Sequence, residues 1–218
     1  MWDNLGRIMA EYPHLKTISQ NHTTIKGIEI LNQHAPTGTP AIIIGAHFGN
    51  WEIPSIASTL QTHLRAHITY RAPNNPWSDR LLARARSLND TIPAYNKSPA
   101  GGRAMMKALK NGHPVAILID QKYNEGLEIP FFNQPAMTNP IAVQLAQKYN
   151  APLIPIRMQR QPNGEQIINI LPPVPTTNKD GTNIPVPDLL QTLHTMMEGW
   201  ITNDPDQWLW LHRRWKKE

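Results

Sequence analysis

Ala41-Ile-Ile-Ile-Gly-Ala-His-Phe-Gly-Asn-Trp-Glu52 is the stretch on which the fold turns. Ala41 to Ala46 is a continuous apolar run rich in β-branched residues. It predicts a strand buried on both faces, the kind found inside a parallel sheet. Gly49 and Asn50 then supply a turn and a helix cap. Residues 51–62 follow with helical spacing, and Pro54 is tolerated in the first turn. A histidine and a carboxylate therefore sit where a strand hands over to a helix. On one continuous helix, five residues put two side chains about 140° apart. His47 and Glu52 can meet only if His47 lies in the turn and Glu52 in the first helical turn. In that arrangement Glu52 orients the imidazole, and the imidazole removes a proton from an acceptor hydroxyl. The same spacing also fits a capping turn with an incidental histidine. The helix start after Gly49 could offer backbone donors to an oxyanion.

Outward from this stretch the chain alternates. Strands are predicted at 67–71, 92–95, 115–119, 153–157 and 167–171, the last two around the turn Pro162-Asn-Gly164. Helices are predicted at 4–11, 77–88, 101–110, 139–149 and 189–202. Residues 25–32 fit either a helix or a strand. Strands alternating with helices of about 10 residues imply an α/β fold, a mostly parallel mixed sheet flanked by helices. Ligands of such sheets sit beyond the carboxyl ends of the strands. His47, Arg71 and Asp120 all follow predicted strands, so they are expected to converge on one edge.

Composition narrows the class. The 218 residues suffice for one domain with a sizeable core. Charged residues are too sparse for a disordered chain. The formal net charge of +5 favours anionic partners: nucleic acid, acidic proteins or a membrane surface. With no cysteine, disulfides and thiolate chemistry are excluded. No apolar run approaches the roughly 20 residues of a spanning helix. The histidines show no metal-ligand spacing, and there is no P-loop or dinucleotide fingerprint.

Other residues stand where chemistry is possible. Arg71 opens the segment after the strand at 67–71. It could grip a phosphate or carboxylate, stabilise an oxyanion, or pair at the surface. Asp120, with Gln121 and Lys122, could orient a base, bind a sugar hydroxyl or cap a turn. Arg80, Arg84 and Arg86 form either a solvated helix face or a docking surface for an acidic carrier protein. The tail from Trp208 to Lys217 interleaves tryptophans with basic residues. It could anchor at a bilayer or contact nucleic acid, or the tryptophans could pack on the core.

Gly-Ala-His-Phe-Gly-Asn-Trp-Glu, with its His-x4-Glu, resembles the first motif of the lysophospholipid acyltransferase superfamily. It is most similar to the branch that adds secondary acyl chains to lipid A. Tyr70, Arg71, Asn75 and Pro76 match that branch's second motif. Asp120-Gln121, Pro130-Phe-Phe132 and Thr138 match its pattern further along the chain, with Asn133 where glycine is usual. His212, Arg213, Arg214 and Lys216 match its tail. The resemblance implies acyl transfer from an acyl carrier protein thioester to a hydroxyl of a lipid A precursor. His47 would be the base and Glu52 its partner; Arg71, Asn75, Asp120 and Gln121 would bind substrate. Neither a metal nor an organic cofactor is implied, and no nucleic acid. Family members ordinarily begin with a hydrophobic helix, whereas this sequence begins at the Leu-Gly-Arg of residues 5–7. The expectation is one acyltransferase domain, 1–218, without that helix, peripheral on the cytoplasmic face of the bacterial inner membrane. Two alternatives remain: an acyltransferase for another lipid (a lysophospholipid, ornithine lipid or glycolipid), and a non-catalytic lipid- or nucleic-acid-binding protein.

Overall fold

The computed structural model describes residues 1–62, 64–70, 75–88, 91–211 and 213–215. At its centre is the predicted buried strand, β2 (Ile42–Gly45), every residue of which is buried. It lies between β5 (Val115–Leu118) and β8 (Leu153–Arg160), parallel to both. Beyond β5 come β3 (His67–Tyr70) and β4 (Ala94–Asn96), also parallel. Beyond β8 come β9 (Gln166–Ile170) and β1 (Thr23–Lys26), parallel to each other and reversed relative to the rest. The seven-stranded order is β1-β9-β8-β2-β5-β3-β4. The α/β class and the mostly parallel mixed sheet are as the sequence implied.

Successive strand residues point to opposite faces, and this divides the core in two. Ile42, Ile44, Val115 and Ile117 face one cluster, shared with α6 (Pro99–Lys110), α7 (Ile141–Tyr149) and α8 (Val186–Asn203). Ala41, Ile43, Ile154 and Ile168 face the other. That side is covered by α2 (Leu15–Asn21), α3 (Ile28–His34) and α4 (Ile53–Gln61). On α8 the stripe Leu189, Leu193, Met197 and Trp200 is buried. Each such large side chain contributes roughly 1.5–3 kcal/mol. Two further helices complete the frame, α1 (Trp2–Glu11) and α5 (Pro76–Arg86), with a 3-10 turn at Tyr12–His14 after α1.

The segment 25–32, which fitted either state, contains both. Strand β1 ends at Lys26 and α3 begins at Ile28, divided by Gly27 at φ +79°. A Cβ on Gly27 would stand 2.4 Å from the Ile170 carbonyl oxygen, so only glycine makes this corner.

Helix α2 was not predicted, and neither was a two-stranded hairpin. β6 (Lys122–Phe131) and β7 (Gln134–Thr138) form an antiparallel hairpin outside the main sheet. Its loop is Phe132-Asn133, with φ +51° and +57°. These left-handed values at both central residues match a type I′ turn, for which asparagine is well suited. Asn133 thus serves where the related motif has glycine. The Phe132 amide donates to Glu198 Oε1 on α8 at 2.6 Å, tying the turn to the helix. β6 lacks the strict burial alternation that marks a half-buried strand.

Beneath the hairpin, His194 is buried. Its Nδ1 donates to the Pro130 carbonyl at 2.7 Å, which leaves Nε2 to accept from Arg214 at 3.0 Å. Burial pushes its pKa down from 6.5 to about 4, and the Arg214 cation adds to this. The unfolded chain therefore binds the extra proton first, so stability is complete above about pH 6.5 and falls towards pH 4. The loss reaches roughly 3 kcal/mol at most. Chemical denaturation at pH 7, 6 and 5 should show the decline, and His194→Gln should flatten it. An unchanged slope in that variant would remove His194 from the account.

Candidate active site

The parallel register of β2 and β5 positions the central pair. Gly45 is opposite Leu118, and the Ile119 amide donates to the Gly45 carbonyl at 3.0 Å. Two residues on, His47 and Asp120 stand opposite each other at the carboxyl edge of the sheet. Asp120 is fully buried, and its Oδ1 accepts from His47 Nδ1 at 2.7 Å. Its Oδ2 accepts from the His47 amide at 3.0 Å and from Trp208 Nε1 at 2.9 Å. With Nδ1 carrying the proton, Nε2 holds the imidazole lone pair. Gln121 Nε2 lies 3.4 Å from His47 Nε2, and Gln121 Oε1 accepts from Lys97 Nζ at 3.2 Å.

The carboxylate expected to orient His47 was Glu52. In the structure that place belongs to Asp120, and Glu52 turns the other way. The cause lies in the turn. Gly49 takes φ +57°, packed against Met158, and Asn50 Oδ1 accepts from the Glu52 amide at 3.1 Å. Glu52 thereby becomes the residue before α4, with its side chain directed at α5. Arg86 Nε donates to both Glu52 oxygens, at 2.9 and 2.8 Å, and Arg86 Nη2 donates to Oε1 at 2.7 Å. The Tyr12 hydroxyl donates to the same oxygen at 2.6 Å. Burial works against the Arg86 cation, but Glu52 outweighs it and the guanidinium is held more firmly charged than usual. Burial and then the Glu52 charge push the Tyr12 phenol up. A neutralised ion pair therefore forms part of the wall beside His47.

By sequence Arg86 groups with Arg80 and Arg84 as a solvated or docking face. A signal was present, because Arg86 lies two residues past Arg84 and so about 200° round the helix. Arg80 and Arg84, four apart, share the exposed face, where Arg80 also lies 5.3 Å over the Trp77 ring.

The remaining expectations resolve unevenly. Arg71 lies outside the described residues, as do His212, Lys216 and Lys217. Asn75 is exposed and its Oδ1 accepts from the Trp77 amide at 2.9 Å, which caps α5. Gln121 stands beside the imidazole. The backbone amides after the strand are mostly committed. Those of Phe48, Gly49 and Ile53 donate to Ala46, Gln207 and Asn50 carbonyls, and those of His47 and Glu52 to side chains. An oxyanion hole built from these five amides is thereby excluded. Helix α1 secures the same turn: Asn4 Nδ2 donates to the Gly49 carbonyl at 3.1 Å, and Asn50 Nδ2 donates to Glu11 at 2.7 Å.

His47, only 13% exposed, opens onto a cavity of about 370 Å³. The cavity runs under the sheet on the α4 side, past Ile43, Ala116 and Ile156 to Leu31, Ile168 and Ile170. Its lining is mainly apolar; the polar side chains in it include Lys97, Gln121, Glu52 and Arg86, of which Gln121 stands at the imidazole. A lone-pair nitrogen at the mouth of an apolar slot suits proton abstraction from one group while a hydrocarbon chain is held in place. Among the described residues no cluster of side chains could hold a metal ion, and no helix is long and apolar enough to cross a membrane.

Over residues 1–217 the chain matches the family described as bacterial lipid A biosynthesis acyltransferase. It is similar to the lipid A biosynthesis lauroyltransferase of Escherichia coli (strain K12), with 28% identity over 202 residues, 89% of this chain and 62% of the relative. It is also similar to the lipid A biosynthesis acyltransferase of Haemophilus influenzae (strain ATCC 51907 / DSM 11121 / KW20 / Rd). There the identity is 26% over 200 residues, 88% of this chain and 60% of the relative. The chain thus spans less than two thirds of the length of these relatives.

Proposed function

The chain belongs to the bacterial lipid A biosynthesis acyltransferase family, and on that premise we propose that it transfers a fatty acyl chain from an acyl carrier protein thioester to a hydroxyl of a lipid A precursor. The observation that carries this reading is the His47–Asp120 pair, whose imidazole opens onto the long apolar cavity. The acyl chain lies in the cavity with its thioester carbonyl at the mouth. His47 Nε2 takes the proton of the acceptor hydroxyl as the oxygen attacks the carbonyl carbon. Asp120 fixes the tautomer and stabilises the imidazolium. The tetrahedral intermediate collapses, the carbon–sulfur bond breaks, and the imidazolium returns the proton to the departing thiolate. The thioester is already activated, so no covalent enzyme intermediate is needed. Gln121 and Lys97 are the polar side chains best placed to meet the developing negative charge. Glu52 contributes by holding Arg86 in the wall, and Arg71 and Asn75 bind substrate from the segment after β3.

The decisive experiment incubates the purified chain with an acyl carrier thioester and a lipid A precursor, a lysophospholipid or a glycolipid in turn. Mass spectrometry then finds the acylated product. Acylation of the lipid A precursor alone supports the reading. Acylation of another lipid only would replace the substrate, and no acylation of any would remove the activity from this chain.

The exposed face of α5 carries Trp77, Arg80 and Arg84 and suits an acidic carrier. Encounter should then be electrostatically steered. Arg80→Glu with Arg84→Glu should lower kcat/KM for the carrier thioester about tenfold at low salt. The deficit should shrink as salt brings the Debye length towards about 8 Å. An equal deficit with a coenzyme A thioester, or none at all, would count against carrier docking on this face. The exposed Trp210, Leu211 and Arg213 remain candidates for contact with an anionic membrane surface.

A further inference from the structure

The tail was expected either to bind a surface or to pack inside. Part of it packs against the catalytic turn itself. Trp208 is buried and pairs with Phe48 in an antiparallel bridge. The Gly49 amide donates to the Gln207 carbonyl at 3.0 Å, and the Leu209 amide donates to the His47 carbonyl at 2.9 Å. Residues 207–209 thus run along 47–49 like a short added strand. The Trp208 indole also donates to Asp120 Oδ2 at 2.9 Å, opposite the oxygen that holds His47.

A few residues on, Arg214 anchors the segment. It is fully buried, with Nη1 donating to the Met137 carbonyl at 2.8 Å and Nη2 to Thr138 Oγ1 at 2.7 Å. Nη2 also reaches His194 Nε2 at 3.0 Å, and the guanidinium lies 5.3 Å over the Phe131 ring. Trp215 adds a bond to the Phe131 carbonyl at 3.0 Å. These four partners of Arg214 are all neutral. Burial pulls its pKa down to about 10, and the charge that works in the other direction is that of Asp120.

We propose that Trp208 and Arg214 are positioning residues for the His47–Asp120 pair, the tail acting as a strap that orients Asp120 and moderates its negative charge. This rests on the reading of His47 as the base. The strap fixes both ends of the pair, since it bonds the backbone of the turn that carries His47 and the second oxygen of Asp120. The other ionisable groups nearby have partners of their own. Glu52 and Arg86 neutralise each other in the cavity wall. Lys97 is bonded to Gln121, Arg157 lies over Phe48 and pairs with Asp204, and His194 receives a bond from Arg214.

The direction of the effect is set by charge. Deprived of the indole donor or of the buried cation, the Asp120 carboxylate draws the imidazolium proton more strongly. The acid limb of the rate profile then moves up.

The test uses the whole chain with Trp208→Phe, which keeps the ring and removes the donor. The expected result is a fall in kcat of about tenfold, with KM within about twofold and the acid limb raised by roughly half a unit to one unit. The proton spectrum without substrate should show the hydrogen-bonded His47 Nδ1 resonance displaced from its wild-type position. Arg214→Met should raise the limb likewise, and Arg214→Lys should restore it towards wild type. An unmoved limb and resonance in Trp208→Phe would overturn the proposal. Should that variant not fold, identical profiles for Arg214→Met and Arg214→Lys would overturn it instead. The resonance is read without turnover, so failure of the transfer reading and failure of the strap are distinguishable.

Discussion

His47→Ala should reduce acyl transfer by roughly 10²–10⁴-fold, the contribution of a positioned general base. Its melting temperature should fall by only a few degrees, because the buried Asp120 carboxylate loses the Nδ1 donor but keeps the His47 amide and the Trp208 indole. Asp120→Asn should lower acyl transfer in the same range. The amide fills the same space but can present an N–H to Nδ1, which favours the wrong tautomer. Combining the two changes should cost little more than either alone, since groups that act as one unit are not additive. Rates with saturating donor and acceptor, alongside thermal melts, measure all of this. A fully active Asp120→Asn protein would detach Asp120 from the chemistry and return the question to Glu52.

Glu52→Ala should behave differently. It strips a buried guanidinium of its counter-ion and removes the acceptor of the Tyr12 hydroxyl. Breaking a buried pair from one side costs about 3–5 kcal/mol, which for a chain of this size lowers the melting temperature by roughly 10 °C. Arg86→Met should cost a similar amount. The double change Glu52→Leu with Arg86→Met should be less destabilising than the sum, because no buried charge is then orphaned. Activity in Glu52→Ala should fall as the wall beside His47 loosens, with the thermal loss alongside it. A Glu52→Ala protein that melts like wild type yet transfers nothing would show that the carboxylate acts in the chemistry directly.

The two experiments separate residues that look equivalent in the sequence. His47 and Glu52 share one motif, and their spacing suggests a pair. The spacing left open which way each side chain leaves the turn. Gly49 and Asn50 send Glu52 towards α5, where Arg86 waits. Arg86 is 34 positions further along the chain, and the need of a buried cation for a counter-ion is not visible in either segment alone.

What the sequence determined by itself is local or periodic. The buried strand before His47, the helices after it and the parallel sheet all arise from hydrophobic patterns and caps. So does the placing of His47 and Asp120 beyond strand ends, and the motifs pointed to the family over nearly the whole chain. Tertiary structure decided the rest. Gly45 lies opposite Leu118 because β2 and β5 are neighbours in parallel register, and only that sets Asp120 against His47. Neighbour order and register are long-range choices, made by which faces can be buried together. The hairpin at 122–138 was hidden because its turn depends on two left-handed residues that packing against α8 supports. The tail was undecided for the same reason. A tryptophan and an arginine can face water or the core, and Trp208 and Arg214 went inside because an acceptor oxygen on Asp120 and carbonyl and hydroxyl groups on β7 were there to receive their N–H groups. A buried donor needs its acceptor, and that acceptor lay more than 70 residues away.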